Sequence, residues 1–160
     1  MEDIWNITAL VVSVLSVLLS LYALRQATTK NTSDMYLFFI SQYAKEDMKL
    51  ALRKLKDIKR GVYRLEQWES DMKNNLPKAF EYDEARRLVK YFYDTLAYMK
   101  LEKLIEARFV RLFCLKKGAW LYLDTVEAME KFFDSGYDKK PYAVIRDVCE
   151  NLRKEGCCPP

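Results

Sequence analysis

Cysteine is the first residue type in this chain that could do chemistry. The tail Gly156-Cys157-Cys158-Pro159-Pro160 sets two thiols side by side on an end expected to be exposed. In a reducing compartment such a pair suits reversible oxidation or ligation better than a structural bridge. Cys149 is the third redox candidate. It lies beside Val148 and near Leu152, and Cys114 sits between Phe113 and Leu115, so both also read as small core residues. A soft metal could take Cys149 with the tail pair, but four well-spaced ligands are absent and no metal is expected. Cys157 stands fourth from the end, where Pro159 and Pro160 fit prenylation badly. A frayed tail without function is the plain alternative.

The second feature is cationic. Lys45, Lys49, Arg53, Lys56 and Arg60 recur every three or four residues, which places them along one side of a helix, with Lys54 and Lys59 beside them. Such a stripe could meet anionic lipid, at about 1 kcal/mol per charge near the surface, or steer an acidic protein partner. The alternative is a solvated face balanced by Glu46, Asp47 and Asp57. Nucleic acid is disfavoured, because the nearby aromatics have core-like spacing rather than that of a stacking platform.

Most catalytic systems are removed by elimination. The chain has no histidine, so Ser-His-Asp and Cys-His nucleophiles, imidazole bases, helical zinc motifs and Glu-x-x-His di-iron sites are excluded. It has no glycine-rich phosphate loop and no dinucleotide fingerprint. Its carboxylates fall in mixed-charge stretches such as Glu66-Gln67-Trp68-Glu69-Ser70-Asp71, the pattern of a solvated helix face. The expectation is a non-enzymatic protein without catalytic residues or cofactor.

The elements that must position these groups begin with Ile4–Leu24, a run without charge. At about 1.5 Å per residue it spans roughly 31 Å, close to a bilayer core. Trp5 and Tyr22 lie near its ends, as interfacial aromatics do. Glu2 and Asp3 precede it; Arg25, Lys30 and the basic stripe follow. This asymmetry predicts an uncleaved transmembrane anchor in the cell membrane, N-terminus outside, with the remainder cytoplasmic. Ala9, Ser13, Ser16, Ser20, Ala23 and Ala27 form a heptad of small residues along it, suited to packing against a helix of a membrane complex or of a second copy. Serine back-bonding within its own helix is the alternative.

Residues 25–33 read as a juxtamembrane linker, 34–155 as one helical cytoplasmic domain and 156–160 as the tail. Asn31-Thr32-Ser33-Asp34 offers an N-cap for Met35 to Tyr43. The next helix begins near Lys45, presents Met48, Ala51, Leu52, Leu55 and Ile58, and ends at Gly61. A short helix around Leu65–Lys73 is followed by a break at Pro77. A long helix from Tyr82 to about Lys100 carries Ala85, Leu88, Val89, Phe92, Leu96 and Met99 on one stripe. Leu104–Leu115, Trp120–Phe133 and Pro141–Lys154 complete the pattern. Gly61, Gly118, Gly136 and Gly156 all fall where helices would stop, which argues for an all-α fold with a bundle of five or six helices.

The sequence Leu88-Val89-x-Tyr91-Phe92, with Leu96, Leu104-Ile105, Phe109-Val110 and Trp120, follows the anchor and an aromatic-rich first helix. It resembles a poorly characterised prokaryotic family of small membrane-anchored helical proteins, known as a domain of unknown function. The likeness rests on hydrophobic spacing over about two thirds of the chain. It implies an anchored helical domain and brings no catalytic residues. Such proteins often carry glycine before the Leu104-Ile105 position; this chain has Lys103.

Together these readings predict a single-pass accessory or regulatory subunit. It would dock on a larger membrane complex, contact a cytoplasmic partner, and respond to redox state or oxygen through its cysteines. The alternative is a membrane-tethered module that binds anionic lipid or nucleic acid through the basic helix.

Overall fold

The pattern of helical periods interrupted by left-handed stops is realised in three dimensions. A computed structural model of the chain describes residues 16, 18–23, 33–134 and 136–157. Among the described residues every regular element is helical and none is a strand. The chain divides into two units at Ser41/Gln42. In the first unit, residues 16, 18–23 and 33–41 are helical. Most of the expected anchor, residues 4–24, and nearly all of the linker, 25–33, lie outside the described residues. No helix among those described is long and apolar enough to cross a membrane.

The second unit builds its core around one long helix. We number its helices α1 (Glu46–Lys59), α2 (Leu65–Lys73), α3 (Pro77–Leu101), α4 (Ala107–Cys114), α5 (Lys117–Leu121), α6 (Glu127–Phe133) and α7 (Lys140–Lys154). A π-helical turn, Tyr122–Val126, joins α5 to α6 without a break. Helix α3 is the hub: α1, α2, α4, α7 and the π turn all pack on it. Met48, Ala51, Leu55 and Ile58 of α1 are buried, as their spacing predicts. Trp68 of α2 is fully buried and its indole N–H donates to the Ala79 carbonyl at 3.2 Å.

Four helices end in one way. The residue after the C-cap is left-handed, and its N–H and the next one turn back onto the helix's last carbonyls. Gly61 (φ 73°) and Gly156 (φ 77°) serve α1 and α7, as expected. The stops of α2 and α3 are instead Asn75 (φ 55°) and Lys103 (φ 57°), residues that composition alone does not flag. At α3 the Lys103 N–H donates to the Lys100 carbonyl at 3.1 Å and the Leu104 N–H to Met99 at 2.9 Å. Lys103 therefore stands where backbone geometry favours glycine most.

Three sequence expectations are corrected here. Helix α3 starts at Pro77 rather than Tyr82, because proline fits the first turn, where no intrahelical N–H bond is needed. Its buried stripe runs through Tyr93 and Ala97, while Leu88 is exposed and Met99 half-buried. Gly118 is no stop. It lies within α5, where an added Cβ would stand 2.7 Å from the hydroxyls of both Tyr43 and Tyr93.

Candidate interaction surface and the buried ionic cluster

Helix α1 is amphipathic by construction. With its apolar residues turned onto α3, the residues one third of a turn away must face water. Lys45, Lys49, Arg53, Lys56 and Arg60 are all exposed. Lys49 pairs with Glu46 at 3.2 Å. Lys54 and Lys59, on the flanks, pair with Glu81 at 2.9 Å and Asp124 at 2.5 Å. Among the described residues Lys45, Arg53, Lys56 and Arg60 form no ion pair, and Asp47 and Asp57 neutralise none of them. The balanced-face alternative therefore holds only at Lys49. What remains is a line of four cations without ion-pair partners along one helix, a locally electropositive strip.

A second assembly was not visible as a unit in the sequence. Asp83, Arg86, Lys90 and Asp94 recur at helical spacing on α3; Asp83 and Arg86 are buried, and Lys90 and Asp94 half-buried. The Arg86 guanidinium lies 2.7 Å from Asp83 and also pairs with Glu130 of α6. Asp83 is nearly inaccessible and holds Arg87 as well, at 2.6 Å. Lys90 bridges Asp94 at 2.6 Å and Glu130 at 3.9 Å. The Tyr122 hydroxyl donates to Asp94 at 2.5 Å; Glu127 accepts from Tyr137 at 2.7 Å and pairs with Arg146 of α7 at 2.5 Å. The π turn shifts the helix by one residue, which changes the face that everything after it presents. That shift lets Tyr122 and Glu127, only five residues apart, both enter the cluster.

The rings of Tyr93, Tyr122 and Tyr142 stack in sequence, with centroids 5.1 and 4.4 Å apart. Burial and then the Asp94 charge hold Tyr122 well above the ordinary phenol range; Tyr142 is raised by the same two causes in the same order. Tyr137 is pushed up to about 12, first by burial and then by its hydrogen bond to Glu127. Every carboxylate of the cluster already accepts a hydrogen bond or an ion pair. The arrangement ties α3 to the π turn, α6 and α7. Mixed-sign residues at helical spacing were the available signal, and the same signal marks a solvated face, so only packing could decide.

The remaining candidates are dispersed. Ser16, Ser20 and Ala23 of the small-residue stripe are helical and exposed, and the Ser20 hydroxyl donates to its own helix at the Ser16 carbonyl, 2.8 Å away. Ala9, Ser13 and Ala27 lie outside the described residues. Cys157 is free and exposed, with its thiol 4.0 Å from the Glu155 carbonyl; Cys158 lies outside the described residues. Cys149 of α7 and Cys114 of α4 are both free and buried. Among the described residues no three Cys, Asp or Glu side chains converge as ligands for a metal ion. No family model, curated protein or solved structure matches this chain.

Proposed function

We propose that this chain is a non-enzymatic, membrane-tethered module whose helical domain works by contact, with the basic face of α1 laid against anionic headgroups. The observation that carries the reading is the strip of bare cations, Lys45, Arg53, Lys56 and Arg60. The tether is residues 4–24. In its favour, the described helical residues there include Leu18, Leu19, Leu21 and Tyr22, which are exposed around more than one face of the helix, an arrangement that water disfavours and lipid accommodates. Four charges at about 1 kcal/mol each would favour the surface-bound orientation by roughly 4 kcal/mol at low salt, near a thousandfold.

The test uses the full chain in vesicles of phosphatidylcholine with and without phosphatidylserine. The chain should resist alkaline carbonate extraction. Amide exchange over residues 45–60 should slow in the anionic vesicles alone, and the protection should vanish in high salt or on replacing the four cations by Gln. Equal exchange in both lipids, or release by carbonate, refutes the proposal.

A second reading, an accessory subunit docked on a membrane protein complex or on another copy, is favoured by a different surface. Phe80, Leu88, Tyr91 and Tyr98 line the exposed side of α3 at helical spacing, and Tyr91 is 74% exposed. That reading expects Ser13, Ser16 and Ser20 replaced by Leu to abolish co-purification with a partner, and unchanged assembly would refute it.

A further inference from the structure

The basic side of α1 is extended by cations from a distant part of the chain. Leu52 is half-buried where α1 packs on α5, and its Cδ2 lies 3.2 Å from the point that a Cβ on Gly118 would occupy. Lys116 and Lys117 immediately precede Gly118, and both are exposed. At about 100° per residue, Lys45, Lys49 and Lys56 stand within roughly 60° of Leu52 around α1. Five lysines from two elements therefore gather about one apolar side chain.

Their charge is not balanced locally. Among the described residues Lys45, Lys56, Lys116 and Lys117 form no ion pair, and Lys49 pairs with Glu46 alone. The acids of α1 lie on its other sides: Glu46, Asp47 and Asp57 are at least about 120° from Leu52 around the helix. Asp124 of the π turn is taken by Lys59 at 2.5 Å. Like charges one turn apart on a helix repel, as Lys45 and Lys49 must, and the α5 pair adds to that repulsion. A bound polyanion would relieve it.

We propose that this patch is a binding site for a lipid headgroup carrying two or more phosphates, seated over Leu52 between α1 and α5. Resting on the membrane reading above, the site names the headgroup that the basic face prefers. A single row of cations can be met by separate monovalent headgroups, one per charge. Cations converging from two elements on one point call for an anion of matching charge density. Clusters of roughly four to eight Lys and Arg on a membrane-facing helix take such headgroups. Lysine suits the role as a compact charge on a flexible stem with three donors, able to follow phosphates without a fixed fork. Leu52 supplies an apolar floor that brings no competing acceptor.

The two elements should respond differently to lipid. Phosphatidylserine needs only the strip on α1, whereas a bisphosphorylated headgroup engages α5 as well. Losing Lys116 and Lys117 removes two charges at the surface, which corresponds to about a thirtyfold weakening.

The test places the full chain in phosphatidylcholine vesicles titrated with either phosphatidylserine or phosphatidylinositol bisphosphate. Amide exchange is followed over residues 45–60 and 115–121. The bisphosphate should protect both segments, at a lower total lipid charge than phosphatidylserine needs to protect 45–60 alone. Lys116→Gln with Lys117→Gln should raise the bisphosphate fraction at half-protection about thirtyfold and leave the phosphatidylserine response within about threefold. Equal protection by the two lipids at matched charge overturns the proposal and leaves the membrane reading standing, as does a bisphosphate response untouched by the double variant. No protection in either lipid overturns both. Free inositol trisphosphate protecting both segments in plain phosphatidylcholine vesicles, at the same headgroup concentration, overturns the assignment to a lipid.

Discussion

Removing the guanidinium at the centre of the buried cluster tests what fastens α3 to α6. Arg86→Met keeps most of the side-chain stem, which lies with its guanidinium carbon 4.7 Å from the Phe133 ring centroid, and deletes the charge. Asp83 then retains only Arg87, whose side chain is 69% exposed and hydrated. Glu130 retains only Lys90, at 3.9 Å. Breaking a buried pair by removing one partner costs about 3–5 kcal/mol, because a charge is left in low dielectric without compensation. The two residual cations place this case at the low end, near 3 kcal/mol, or roughly 10 °C in Tm for a domain of this size. Arg86→Met with Glu130→Leu removes one of the two carboxylates that lose Arg86, so the double variant should recover at least about 1.5 kcal/mol relative to the sum of the singles. Urea unfolding in mild detergent at neutral pH, followed by far-ultraviolet circular dichroism, measures all four corners of the cycle. A loss under about 1 kcal/mol for Arg86→Met, or strict additivity, would refute the view that the cluster is one coupled unit.

Three more outcomes are expected. Gly118→Ala should destabilise the domain by about 1–3 kcal/mol in the same assay, since its Cβ would press on the hydroxyls of Tyr43 and Tyr93, and Tyr93 is fully enclosed and cannot swing away. Lys103→Gly should stabilise it by about 1 kcal/mol by relieving the left-handed lysine at the end of α3; a lower urea midpoint would count against that geometry. Alkali should unfold the domain cooperatively. Burial, with help from Asp94, raises Tyr122 and Tyr142 in the fold, so their contribution is fully present below pH about 10, where the unfolded phenols still hold protons. Above it, stability falls by about 1.4 kcal/mol per pH unit for each such tyrosine, with Tyr137 ceasing to contribute further beyond about 12. Tyrosinate absorbance and loss of helicity should coincide, and separate transitions would contradict the assignment.

The helices were largely legible because the period of apolar residues is a local property. Met48, Ala51, Leu55 and Ile58 can share a face only if the backbone is helical, and Leu65–Lys73 was bounded by its own pattern. Helix ends were harder. Gly61 and Gly156 announce left-handed stops because glycine adopts them without strain, whereas Lys103 takes the same conformation without that freedom and Asn75 takes it as asparagine sometimes does. The basic strip could be placed on one face from spacing alone. Whether Asp47 and Asp57 cancelled it depended on side-chain directions that spacing does not contain.

By itself, then, the sequence determined an all-α chain without histidine, an uncharged run over residues 4–24 and a cationic side to α1, since each follows from residue type and a short repeat. Only the tertiary structure decided that Asp83 and Arg86 are buried, that Lys90 and Asp94 are half-buried beside them, and that the Tyr122 hydroxyl of the π turn reaches Asp94. Charged side chains at helical spacing are compatible with water or with a buried partner. The choice between them belongs to residues distant in sequence, here Glu130 on α6, which supplies a compensating charge to Arg86 and Lys90.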